Sequence, residues 1–188
     1  MNYNYGYYQR LVETLGFHKE VDFVSCYLNA KTFGFPERVH SIAARVQERG
    51  TLRVKLFRNK KELVSWGARI GKAYNQAFVN NWEYYPLTER EIAFVIQNIM
   101  VIADPKLIKI IVHDEDVVGF LFAFPDVSAA LQRAKGRLFP FGILDLLLEV
   151  RRTKWVAENG VGILPEFQGR GGNALPIPWT RGVWAFPA

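Results

Sequence analysis

The amino-acid sequence predicts a mixed α/β (α+β) fold in which helices flank a mainly antiparallel sheet, and three observations support this. Helical and strand periodicities alternate along the chain from residue 51 onward. Two apolar segments, 107–113 and 117–124, are separated by a short acidic turn, which is typical of an antiparallel hairpin. The segment 162–175 combines the end of an apolar strand with a glycine-rich loop and the beginning of a helix.

Length, charge and cysteine content limit the possible classes of protein. The chain has 188 residues, which is enough for one domain with its own core, and a formal net charge of +6. Cys26 is the single cysteine, so a disulfide framework is excluded and a reducing, cytoplasmic location is the default expectation. We expect Cys26 itself to be a buried structural thiol, because the sequence places no histidine or basic helix start beside it.

Membrane and nucleic-acid partners are not expected. The two most apolar segments, 117–125 and 138–150, are too short to span a bilayer of ~30 Å. The basic residues are spread along the chain rather than clustered with aromatic residues, which argues against a nucleic-acid interface.

The N-terminal part begins with helical spacing over residues 7–15, and Gly16 is typical of a helix end. The apolar residues within 17–28 predict one or two short strands. A further helix is predicted between Pro36 and Gly50, because proline favours helix starts and glycine favours helix ends. We interpret residues 31–50 as a connector that contains this helix.

The next part of the chain begins with a half-buried strand, predicted from the alternation of apolar and polar residues over 51–57. Helices are predicted over 61–79 and 88–102, and an aromatic loop joins them. The second helix begins with the capping-box pattern of Thr88 and Glu91, whose side chains satisfy backbone N–H groups reciprocally.

The last elements follow the hairpin. Residues 128–150 predict one or two helices, broken near 139–142, as an insertion before a final strand at 154–164. The glycine-rich loop after that strand would gather backbone N–H groups into a concavity that attracts phosphate. Its glycines would remove β-carbons where phosphate approaches the backbone. The alternative is a tight glycine turn that binds no ligand.

In this order the elements resemble the GCN5-related N-acetyltransferase (GNAT) superfamily, which has a strand, two helices, a three-strand meander and a glycine-rich turn into a helix. The cofactor motif of that family is Gln/Arg-x-x-Gly-x-Gly/Ala. The sequence matches it at Gln168 and Gly171 and departs from it at Asn173, where the family has Gly or Ala. The resemblance covers about Thr51 to Leu175.

The resemblance also implies a domain organisation. Residues 1–30 are similar to the end of a preceding GNAT domain, in which a tyrosine precedes a Leu-Gly-Phe turn. Residues 51–175 are similar to a partial GNAT domain with the helical insertion at 128–150, truncated after the CoA-binding loop. Residues 176–188 lack helical periodicity, and we interpret them as an irregular, divergent or frame-disrupted tail. The strand 154–164 would then be an open edge, through which the chain could self-associate.

The cofactor that the resemblance implies is acetyl-CoA, as a co-substrate. The backbone of Gly162, Ile163 and Leu164 would pair with pantetheine, and Arg170 would add a charge-assisted contact to phosphate. The residues implied for the phosphates are Gln168, Gly169, Arg170, Gly171, Gly172 and Asn173. No metal is implied, and the acidic run at 113–116 is interpreted as a hairpin turn.

The family's chemistry is direct attack of an amine on a thioester, which needs a base for the amine proton. Glu158 is the candidate base, and the alternative is an outward-facing charged strand residue. The candidate acceptor-binding residues lie in the aromatic loop and are Trp82, Glu83, Tyr84 and Tyr85. The alternative is that these residues cap the core.

Two hypotheses follow from the sequence. The first is an acyl-CoA-dependent N-acyltransferase, or a fragment of one, that moves an acetyl group to an unidentified amine. The second is a non-catalytic GNAT-like module that binds CoA or a protein partner.

Overall fold

A computed structural model of the chain describes residues 5–29 and 32–175. The chain divides into two compact units between Phe33 and Gly34. The first unit contains helix α1 (Tyr7–Thr14), and Gly16 follows it with a left-handed φ of 86°. The predicted N-terminal helix and its glycine end are therefore confirmed.

The strands predicted within 17–28 are wrong. Residues 17–29 contain neither helix nor strand. A β-strand exists through hydrogen bonds to a neighbouring strand, and the described residues of the first unit supply no such neighbour. Cys26 lies in this segment and is exposed, so the expectation of a buried thiol is also wrong.

The second unit contains a four-stranded antiparallel sheet with strands adjacent in chain order. The strands are β1 (Arg53–Lys55), β2 (Ile108–His113), β3 (Asp116–Pro125) and β4 (Val156–Ile163). The predicted hairpin is confirmed, with His113 opposite Asp116 beside a two-residue turn. Asp114 in that turn has a left-handed φ of 53°.

The described residues of the second unit form six further α-helices. They are α2 (Glu37–Arg49), α3 (Lys60–Ser65), α4 (Gly67–Phe78), α5 (Glu89–Ile99), α6 (Ser128–Arg133) and α7 (Gly142–Arg152). The region predicted as one helix over 61–79 is two helices, which meet at Trp66. Gly50 ends α2 in the left-handed conformation, and Thr88 and Glu91 form the predicted capping box of α5. The mixed α+β fold class is confirmed.

The two faces of the sheet pack against different elements. On one face, Ile110 and Phe120 pack with residues of α3 and α4, including Leu63 and Ile70, in the largest cluster of buried side chains. On the other face, Ile111 and Val118 pack with Val46, Leu52 and Leu175. Helix α2 therefore contributes to the core of the second unit.

Helices α6 and α7 form a hairpin whose two helices are joined by salt bridges. The Arg133 guanidinium donates two hydrogen bonds of 2.9 Å to the Asp145 carboxylate and a third to Glu149. This contact lowers the pKa of Asp145 below its usual range. Among the described residues, no helix is long and apolar enough to cross a membrane.

Candidate functional site

Strand β4 is an edge strand of the sheet in the part of the chain that the structure describes. Its pairing with β3 contains one irregularity, where Phe122 lies opposite Gly160 and Ala123 lies opposite Glu158. Asn159 is therefore the extra residue of a β-bulge. Bulges are frequent beside active sites, because they redirect a side chain or end regular pairing.

The register shows which backbone groups of β4 point to the open side. The Leu164 N–H donates to the Val118 carbonyl at 2.8 Å, so Leu164 faces β3. Because hydrogen-bonding direction alternates along an antiparallel strand, Gly162 also faces β3. The N–H and C=O groups of Val161 and Ile163 consequently point to the open side. Of the three residues predicted to pair with pantetheine, only Ile163 has this orientation, which Val161, not among the three, shares.

The chain turns sharply after β4. Pro165–Phe167 forms a single 3-10 turn, and the Gln168 side-chain amide donates to the Ile163 carbonyl at 3.3 Å. The Arg170 guanidinium lies 5.2 Å from the centre of the Phe167 ring. The predicted phosphate loop is thus tied back to the open edge of β4, and Arg170 is exposed beside it.

The glycines of this loop have different physical roles. A β-carbon on Gly171 would lie 2.6 Å from Ile42 Cγ2, and one on Gly172 would collide with Ile163. These two glycines therefore permit close packing of the loop against α2 and β4. Gly169 has a left-handed φ of 72° and no heavy atom near the position of its missing β-carbon. Of the three glycines at 169, 171 and 172, Gly169 is therefore the one with open space beside it.

The helix predicted to begin at Gly171 is a single 3-10 turn, Gly172–Ala174, in the described residues. Leu175 follows this turn and is only 1% exposed, so the segment ends in the core rather than along a free helix. The predicted irregular tail at 176–188 lies outside the described residues.

The aromatic loop between α4 and α5 is organised by Asn75. The Asn75 Nδ2 donates to the Leu87 carbonyl at 2.7 Å, and its Oδ1 accepts from the Tyr84 hydroxyl at 2.6 Å and the Leu87 N–H at 2.9 Å. Burial raises the pKa of the Tyr84 hydroxyl. Tyr84 also packs on Tyr74 and Phe78.

The other three predicted acceptor-binding residues differ from Tyr84 in exposure. Trp82 is 48% exposed and Tyr85 is 89% exposed, and Glu83 has a left-handed φ of 48°. Tyr84 therefore anchors the loop to the core, whereas Tyr85 is presented to solvent.

Glu158, the candidate base, is exposed and lies next to the bulge. It lies opposite Ala123, which packs with Leu107 and Leu121 on the face of the sheet away from α4. Glu158 therefore lies on the face of the sheet away from α4, whereas its neighbour Asn159 is among the residues that line a cavity on the α4 side.

A cavity of about 300 Å³ lies between α4, α5 and the sheet. Its walls are apolar side chains such as Ile70, Ile96 and Phe122, and its polar lining residues are Tyr74 and Asn159. Sequence reasoning did not predict this cavity. The available signal was the pair of glycines four residues apart on α4, Gly67 and Gly71, whose missing β-carbons let Ile96 and Ile92 of α5 approach closely.

The fold and this edge-strand site define a mixed α+β protein with an antiparallel sheet. Comparison with known proteins adds two relatives. No family model matches the chain, so the GNAT resemblance has no support from that comparison. The chain is 24% identical over 164 residues to Protein YghO of Escherichia coli (strain K12), an alignment that covers 86% of this chain and 41% of YghO.

The second relative is named Bacterial ceramide synthase, from Caulobacter vibrioides (strain NA1000 / CB15N). It is 30% identical over 106 residues, which cover 55% of this chain and 28% of the relative. The chain therefore spans less than half the length of either relative.

Proposed function

We propose that this chain is an acyl-CoA-dependent N-acyltransferase, or the thioester-binding part of one. The observation that carries the proposal is the open edge of β4, which runs from the bulge at Asn159 directly into the loop with Gly169 and Arg170. An extended amide chain such as pantetheine can pair with the outward N–H and C=O groups of Val161 and with the outward N–H of Ile163 as an added strand, while the Ile163 carbonyl already accepts from Gln168.

The loop supplies the charge that a CoA phosphate needs. Arg170 is exposed, and its guanidinium can donate paired hydrogen bonds to a phosphate. Space for the phosphate lies on the Gly169 side, because Gly171 and Gly172 are closed off by packing. Phosphate binding is thus proposed for the part of the loop that contains Gly169 and Arg170, and pantetheine binding is proposed for the edge strand β4.

The reaction is the attack of a neutral amine nitrogen on the thioester carbonyl carbon. A C–N bond forms, the C–S bond breaks, the amine proton leaves to a base, and the CoA thiolate takes a proton. Glu158 is the proposed base, acting through water because it lies on the face of the sheet away from α4 and the cavity. The relative named for ceramide synthesis favours acyl transfer to nitrogen, since ceramide is a fatty-acid amide.

Calorimetric titration of the full chain with acetyl-CoA and decanoyl-CoA tests binding, and release of free CoA thiol in the presence of amines tests transfer. Arg170→Gln should weaken CoA binding about tenfold or more, because it removes a charged phosphate contact. Arg137→Gln, which removes the same charge from the α6–α7 connection, is the matched control. If neither thioester binds, the proposal is wrong.

A second function is a module that binds CoA or a protein partner without turnover. It is favoured by the unpaired side of β4 in the described residues, to which an extended partner segment can add as a strand. Thioester binding without thiol release across a panel of amines would support this module over the enzyme.

A further inference from the structure

The cavity between α4, α5 and the sheet has the properties of a ligand site rather than of a packing gap. Its volume of about 300 Å³ is at the lower end of the range for small-molecule pockets. Among the described residues, no charged side chain lines it, and the polar residues in its lining are Tyr74 and Asn159. An apolar lining of this kind favours apolar occupants, because removing apolar surface from water is favourable.

The cavity lies next to the open edge of β4, because Asn159 of β4 is one of its lining residues. Asn159 lines the cavity and is also exposed, so the bulge is one place where the lining of the cavity meets the surface. Val161, with its outward backbone groups, is two residues further along β4, a distance of about 7 Å along a strand. A chain that fills the cavity would therefore leave its polar end beside the open edge.

The lining also restricts the chemistry of the occupant. Phe122 and Phe124 form the sheet wall, and Ile92, Val95 and Ile96 form the α5 wall. A polar or charged ligand would lose its hydration without gaining partners there, which costs several kcal/mol. An aliphatic chain gains free energy for every methylene that it buries.

We infer that this cavity binds the linear hydrocarbon chain of a lipid substrate, with the polar end of that substrate at Asn159. The inference rests on the proposed function for the identity of the substrate, as either the acyl donor or the amine. The name of the ceramide synthase relative is consistent with a long-chain substrate. Binding of the hydrocarbon chain itself can be measured without any transfer reaction.

The test is calorimetric titration of the full chain with linear 1-alkanols from hexanol to dodecanol, in the absence of CoA. The affinity should rise about fourfold for each added methylene. It should stop rising once the cavity is full. An affinity that is absent, or that does not depend on chain length, would overturn the inference.

A cavity-filling variant locates the binding. Val95 lines the cavity and is 44% exposed, and Val64 on α3 is 46% exposed and does not line it. Val95→Phe should weaken decanol binding at least tenfold, and Val95→Leu should weaken it by less. Val64→Phe is the matched control and should bind decanol as the unmodified chain does. Equal effects of Val95→Phe and Val64→Phe would contradict the inference, and urea midpoints would establish that each variant is folded.

A comparison of decanoyl-CoA with decylamine shows whether the hydrocarbon chain in the cavity belongs to the acyl donor or to the amine. If Val95→Phe weakens only decanoyl-CoA binding, the cavity holds the acyl chain, and if it weakens only decylamine binding, the cavity holds the chain of the amine. Alkanol binding without thioester binding would leave the cavity assignment intact and refute the proposed function. Acetyl-CoA binding without alkanol binding would refute the cavity assignment and leave the proposed function intact.

Discussion

Gly171 and Ile42 are in such close contact that a β-carbon on Gly171 would lie 2.6 Å from Ile42 Cγ2. Val46 Cγ2 would be 3.0 Å from the same atom, so two residues of α2 press on one glycine of the loop. The loop is thereby fixed against a helix more than a hundred residues earlier in the chain. A glycine-rich loop can therefore be glycine-rich for packing as well as for binding.

Gly171→Ala should lower the free energy of unfolding by about 2–4 kcal/mol, which combines overpacking with the cost of a left-handed φ. Gly169→Ala should cost only about 1–2 kcal/mol, because it has the left-handed φ without the collision. Urea unfolding of both variants measures the difference. Equal losses would show that the contact with α2 is not what requires glycine at 171.

Asn75 connects α4 to the loop that ends at Leu87, and it does so with three hydrogen bonds. Asn75→Ala removes all three and leaves partly buried backbone groups of Leu87 without partners, so we expect a loss of about 2–3 kcal/mol in unfolding free energy. Asn98→Ala is the control, because Asn98 makes one exposed side-chain bond, to the Phe94 carbonyl. The control should change stability by about 0.5 kcal/mol or less.

The capping box of α5 predicts a pH dependence of stability. Hydrogen bonds from the Thr88 N–H and hydroxyl lower the pKa of Glu91 below its usual value of 4.5. A carboxylate with a depressed pKa in the folded state stabilises the protein above pH 4.5, and that contribution is lost as the pH falls through the folded-state value. The difference in unfolding free energy between the unmodified chain and Glu91→Gln should be constant above about pH 5.5 and should change below pH 4.5.

Urea unfolding between pH 3 and pH 7 measures this difference. Glu89→Gln removes the same charge from the first turn of α5 at a position outside the capping box. A Glu91→Gln difference that stays flat across the whole range would contradict the assignment of the acid-sensitive contact to Glu91.

Local patterns predicted the elements of the second unit because their causes are local. The capping residues Thr88 and Glu91, the helix-ending Gly50 and the acidic hairpin turn each act within a few residues of chain. The mixed α+β class followed from their order. The break at Trp66 and the absence of strands at 17–28 were not predictable in this way, because they depend on packing or on a partner strand.

The candidate site was only partly predictable for the same reason. The sequence indicated the β4 edge and the loop, but the outward direction of Val161 depends on its register with β3. The role of Gly171 depends on α2, and the cavity depends on how closely α4 approaches α5. Long-range contacts of this kind leave only an indirect signal in one sequence, such as the four-residue spacing of Gly67 and Gly71 on α4. The assignment of acetyl-CoA and of its binding residues stays a prediction.

The outward orientation of Val161 gives the last prediction. A proline at 161 removes an N–H that points to the open side, so the ladder to β3 should survive in Val161→Pro, with a loss of at most about 1–2 kcal/mol. Gly160→Pro should cost about 3 kcal/mol or more, because alternation places the Gly160 N–H toward β3. Urea unfolding of the two variants tests the register directly.

Val161→Pro also distinguishes two possible partners of the open edge of β4, a second copy of the chain and pantetheine. If β4 pairs with a second copy of the chain, as an open edge can, Val161→Pro should shift sedimentation velocity profiles toward the monomer. If the edge instead pairs with pantetheine, Val161→Pro should weaken acetyl-CoA binding and leave the sedimentation profile unchanged. A variant that alters neither property, while remaining as stable as expected, would show that the outward groups of Val161 pair with neither partner.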